Sequence, residues 1–116
     1  MFEKTIQVGH KTVVAMVHIP ALPGSPDYDI ASGMTKIIGS VIADLEALQS
    51  GGGDAVMFGN EFDRPYELKA PPEGLAAIAS VIGQVKSIIK IPFGVNYLWD
   101  PVATVALAVA TEASFA

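Results

Sequence analysis

Three short runs constrain this chain more than anything else in it: "TVVAMVHI" (12–19), "DAVMFG" (54–59) and "IPFGVNYL" (91–98). Each is almost wholly apolar, bounded by glycine, proline or polar residues, and too short for a helix. A strand with one wet face alternates apolar and polar residues. A strand apolar throughout is buried on both faces, as in a parallel sheet covered by helices.

Between the runs the period changes from strand to helix. Ile37, Ile38, Val41, Ile42, Leu45 and Leu48 recur on one helical face after Ser32, with Asp44, Glu46 and Gln49 off it. Gly51, Gly52 and Gly53 stop that helix, because glycine accepts the left-handed conformation cheaply. Pro71 and Pro72 precede a second helix with the stripe Leu75, Ile78, Ala79, Ile82, Val85 and Ile89. Asp100 as N-cap and Pro101 at the first helical position open a third, apolar at Val102, Val105, Ala106 and Val109. "ASFA" (113–116) reads as the beginning of a fourth strand.

The order βαβαβα followed by a fragment of β predicts an α/β fold with a parallel sheet. A doubly wound sheet and a (β/α)8 barrel both begin this way. No G-x-G-x-x-G joins a strand to a helix, which weakens a dinucleotide-binding reading.

Composition bounds the function. At 116 residues, 51% of them hydrophobic, the chain has material for one folded domain, 1–116. It has no cysteine, which excludes disulfides and thiolate chemistry. The net charge of −5 has the wrong sign for electrostatic binding of nucleic acid, and no Lys/Arg run suits an anionic membrane surface. "MFEKTIQVGHK" makes a poor signal peptide, and no apolar stretch is long enough to span a bilayer. The expectation is a soluble, acidic, cytoplasmic protein.

In parallel α/β folds the chemistry gathers at the C-terminal ends of the strands. Here the first strand ends at His18, the second at Asn60, Glu61, Asp63 and Arg64, and the third at Asn96, Tyr97, Trp99 and Asp100. The strand bodies carry almost no such groups, so these ends predict a polar rim around a pocket. Glu61 is the first catalytic candidate, a strand-end carboxylate among apolar neighbours, the setting in which a general acid/base is tuned. His18 is the second, since imidazole exchanges protons near neutral pH. Asn60, Asp63, Arg64, Asn96 and Asp100 are candidate substrate-binding residues.

Each has a plainer reading. The asparagines satisfy backbone groups where strands end, Asp63 or Arg64 makes a turn contact or ion pair, and Asp100 caps a helix. Trp99 and Phe62 read as packing residues. Glu61 or Asp63 with a substrate phosphate would suit Mg²⁺, but His10 and His18 show no metal-ligand spacing, and no metal site or cofactor is assigned.

"AMVHIPALPGSP", "GGGDAVMFGNEFDRPY" and "IPFGVNYLWDPVA", in this order and spacing, resemble the BtpA/SgcQ family, and more closely its SgcQ-like branch. The resemblance runs from about Val13 to Phe115. It implies a (β/α)8 TIM barrel of the ribulose-phosphate-binding type. It also implies either a carbohydrate-linked enzyme of unsettled reaction or a photosystem I biogenesis factor, which would sit peripherally at the thylakoid. His18, Asn60, Glu61, Asn96 and Asp100 match the family motifs. Tyr97 replaces a small aliphatic residue, which narrows the pocket, and Glu112 replaces a glycine, where a left-handed turn would penalise its Cβ.

Such a barrel needs about 250 residues, so the chain reads as its N-terminal half: three βα units and the start of strand four. Alone it would expose a sheet edge and an apolar sheet face. It is therefore expected to pair with a second copy or to be a truncated chain. The small-molecule partner is expected to be phosphorylated or sugar-like.

Overall fold

The computed structural model describes residues 9–116. Strand β1 (Val14–His18), helix α1 (Gly33–Ser50), strand β2 (Ala55–Gly59), helix α2 (Pro72–Val85), strand β3 (Phe93–Asn96) and helix α3 (Pro101–Thr111) follow in turn. The strands form one parallel sheet in chain order, β1-β2-β3.

The register explains why the runs are apolar throughout. Val17, Phe58 and Val95 lie side by side across the sheet, as do Ala15, Val56 and Phe93. Neighbours in register point to the same face. Val17, Val56, Phe58, Phe93 and Val95 join one buried cluster with Ile37, Val41 and Leu45 of α1, Ile78, Val81 and Ile82 of α2, and Leu107 of α3. The Phe58 and Phe93 rings meet edge to face at 5.8 Å. All three helices therefore cover the same face of the sheet.

The strands are shorter than the runs that signal them. Pro92 lies outside β3, yet its carbonyl accepts the Val56 amide at 3.1 Å. Helix α2 also stops early: a 3₁₀ turn, Lys86–Ile88, follows Val85, and Ile89 is extended, not helical as its spacing suggested. The Gln49 side chain holds that turn, donating to the Ile88 carbonyl at 3.0 Å and accepting the Lys90 amide at 2.6 Å.

The start of α3 is capped as the sequence indicates. Asp100 accepts the Ala103 amide at 2.9 Å, with Pro101 next in line. Glu112 ends α3 in the left-handed region at φ 60°, and its carboxylate accepts from Lys86 Nζ at 2.6 Å. Phe115 forms a parallel bridge with Gly94, the Val95 amide donating to its carbonyl at 3.2 Å. A fourth strand thus begins beside β3. Among the described residues no helix is long and apolar enough to cross a membrane.

Candidate functional site at the C-terminal ends of the strands

His18, Gly59 and Asn96 end the three strands side by side in register. They point away from the helices, onto the uncovered face. Just beyond Gly59, Glu61 turns back so that its carboxylate lies over the Gly59 Cα. A Cβ added to Gly59 would sit 2.7 Å from Glu61 Oε2 and 2.8 Å from Cδ, and closer still to Oε1. Glycine is required there because the carboxylate occupies the space a side chain would fill. This residue drew no attention from sequence alone, where a strand glycine signals only close approach of something unspecified.

The result is a carboxylate above the central strand, with His18 on the neighbouring strand to one side and Asn96 to the other. His18 Nε2 is 3.9 Å from Glu61 Oε2. The imidazole also meets the Phe62 ring edge to face at 6.3 Å. Glu61 Oε1 is buried without a hydrogen-bond partner among the described residues. A buried carboxylate oxygen in that state is unfavourable, and a proton or a donor group would satisfy it. The Asn96 side-chain amide makes no hydrogen bond among the described residues either, and Asn96 lines a hollow with Trp99, Pro101 and Val105.

The other expected site residues serve the loops. Asn60, 2% exposed, accepts the Leu98 amide at 2.7 Å and donates to Asp63 Oδ2 at 3.2 Å. Asp63 Oδ1 accepts the Leu22 amide at 2.8 Å. These two side chains thereby join the loops that follow all three strands. Burial pushes the Asp63 carboxyl above its ordinary value, opposed by the Leu22 amide, by Asn60 and, outside hydrogen-bond geometry, by the Ser25 hydroxyl.

Asp100 is 8% exposed and ties loop to helix, accepting the amides of Ala103 and, at 2.7 Å, Ala70. Those amides hold its carboxyl below the usual range. With both oxygens so engaged it acts as the cap that was its plainer reading, not as a group directed to substrate. Arg64 is exposed, precedes a cis bond to Pro65, and makes no ion pair among the described residues. Phe62 and Trp99 are exposed and not packed in the core, although Trp99 meets the Tyr66 ring at 5.3 Å. No three metal-ligating side chains gather among the described residues.

A cavity of about 130 Å³ opens beneath the three joined loops. Prolines 23, 26, 65 and 71 stiffen its wall, and its polar groups come from Ser25, Asn60, Asp63, Tyr66, Glu67 and Tyr97. Tyr97 lines this cavity, which is not the space beside His18, Glu61 and Asn96. Burial raises its phenol to about 12, with Asp63, Glu67, Glu73 and Asp100 adding to the effect through their charges. Ser25 and Glu67 escape a motif reading because only the folded loops bring them to the cavity.

The chain is 57% identical over 105 residues to the putative sgc region protein SgcQ of Escherichia coli, covering 90% of this chain and 39% of that protein. An uncharacterised protein of Archaeoglobus fulgidus is 35% identical over 90% of this chain and 42% of its own length. The photosystem I biogenesis protein BtpA of Synechocystis is 28% identical over 88% of this chain and 35% of its own length. The chain thus spans about two-fifths of the length of these relatives. No solved structure matches it. The BtpA family model matches residues 9–116, and with that match over nearly the whole length, the chain belongs to the BtpA family.

Proposed function

We propose that this chain supplies the first three βα units of a (β/α)8 barrel enzyme. Its substrate is a small phosphorylated or sugar-like molecule bound at the C-terminal ends of the strands. The observation that carries the reading is the Glu61 carboxylate, laid over Gly59 with one oxygen 3.9 Å from His18 Nε2. Paired carboxylate and imidazole groups on neighbouring strand ends suit proton transfer, with Glu61 as acid/base and His18 orienting it or exchanging its proton. Asn96, on the far side of Gly59, would hydrogen-bond a substrate hydroxyl or carbonyl. A sheet wound in chain order with every helix on one face fits a barrel, because a doubly wound sheet reverses its order and places helices on both faces.

The remaining strands would come from the rest of a longer chain or from a second copy. The test uses a form spanning the full length of the relatives, screened against pentose and hexose phosphates for turnover. Glu61→Gln should abolish turnover with the circular dichroism spectrum unchanged; undiminished turnover would remove Glu61 from the mechanism.

A second reading, an assembly factor without catalysis, draws on the name of the Synechocystis relative. It requires partner binding that is indifferent to Glu61→Gln and His18→Asn.

A further inference from the structure

We infer that the cavity beneath the three loops is a binding site for a small cationic group, an ammonium carried by the ligand. This deepens the reading above by assigning a charge to what the loops hold, and it concerns groups other than His18 and Glu61.

The cavity is built to accept hydrogen bonds. Tyr97 is 4% exposed and lines it, and its hydroxyl makes no hydrogen bond among the described residues. That hydroxyl reaches the Pro71 end of the cavity, where a Cβ on Gly74 would collide with it. The Ser25 hydroxyl is likewise buried without a hydrogen-bond partner among the described residues. Asp63, whose two oxygens already accept from Leu22 and Asn60, and Glu67, exposed at the rim, add negative charge to the lining, and no Lys, Arg or His lines the cavity.

Charge then selects the ligand. A neutral hydroxyl could meet the same hydroxyl oxygens but would gain little from the negative charge of the partly buried Asp63 and of Glu67 at the rim. A phosphate would be repelled by them. An ammonium brings three donors and a positive charge, and the space amounts to several water volumes, enough for the amino end of a ligand. Burial above all, and then the charges of Asp63, Glu67, Glu73 and Asp100, raise the Tyr97 phenol and so keep its hydroxyl neutral beside these groups. In a phosphorylated substrate, the phosphate would therefore lie away from these loops.

The probe is methylammonium chloride, titrated into the 116-residue chain at constant ionic strength with sodium chloride as the balance. ¹⁵N NMR would follow the Ser25, Asp63 and Leu98 amides. Saturable shifts at these amides with methylammonium, and none with inorganic phosphate or glycerol, are expected. Glu67→Gln, an exposed position whose change leaves the loop ties intact, should weaken the affinity several-fold, and Tyr97→Phe should do the same. Glu61→Gln should leave it unchanged, so failure of the catalytic reading and failure of this one are distinguishable. Shifts that do not saturate, equal binding of glycerol, binding of phosphate, or an unchanged affinity in Glu67→Gln would each overturn the inference.

Discussion

Residues one position apart on the same strand live in opposite surroundings. Val17 is fully buried under the helices, whereas Val14 and Met16 on the other face stand 42% and 36% exposed. Both faces are apolar in sequence, yet only one has a cover within the described chain. The covered face holds the fold together by hydrophobic burial. The uncovered face carries the His18–Glu61 pair at one end and exposes Val14 and Met16 along its length. The buried core and the His18–Glu61 pair thus lie on opposite sides of one three-stranded sheet.

The largest expected effect tests the covered side. Phe58→Ala leaves a hole between β2, β3 and the helices and should destabilise the chain by about 3–5 kcal/mol in urea unfolding. Met16→Ala, on the open face, should stay within about 0.5 kcal/mol. A comparable loss at Met16 would mean that something covers the open face in solution.

Association comes next. If two copies close on each other through the open face, light scattering over a concentration series should find a species of twice 12.1 kDa. Met16→Glu should return it to a single chain. A discrete monomer at all concentrations would remove the second copy as the cover and leave the rest of a longer chain.

The rim offers a comparison in pH. The Asp100 carboxyl is held low, so its contribution to stability is present above its unfolded value and is lost as pH falls through the folded one. Asp63 is raised, so its contribution is present below its unfolded value and is lost as pH rises through the folded one. Thermal melts should show Asp100→Asn flattening the acid limb of the stability profile. Asp63→Asn should remove a decline at higher, still acidic pH.

The smallest effect is local. A Cβ at Gly94 would strike the Phe115 ring. Gly94→Ala should therefore loosen the incipient fourth strand and speed exchange of the Val95 amide, which donates to the Phe115 carbonyl. Global stability should change little. An unchanged exchange rate would show that this bridge contributes no protection.

Some of the site was legible beforehand and some was not. That polar groups collect at His18, at Asn60 through Arg64 and at Asn96 follows from strand direction alone. Their division of labour does not. Asn60 and Asp63 look like ligand-binding groups in sequence, but their partners, Leu22 and Leu98, lie about forty residues away on either side of them in the chain. Phe62 and Trp99 look like core material, yet the loops that carry them turn outward.

What the amino-acid sequence determined by itself was the succession of strands and helices, the Asp100–Pro101 helix start and the opening of a fourth strand. These depend on periodicity and on contacts within one turn, so nearby residues suffice to specify them. Only the tertiary structure decided which face of the sheet is covered, that Glu61 lies over Gly59 beside His18, and that Asn60 and Asp63 join three loops above an acidic cavity. Those outcomes depend on the register between strands about forty residues apart. A shift of one residue in that register would turn every one of these side chains to the opposite face.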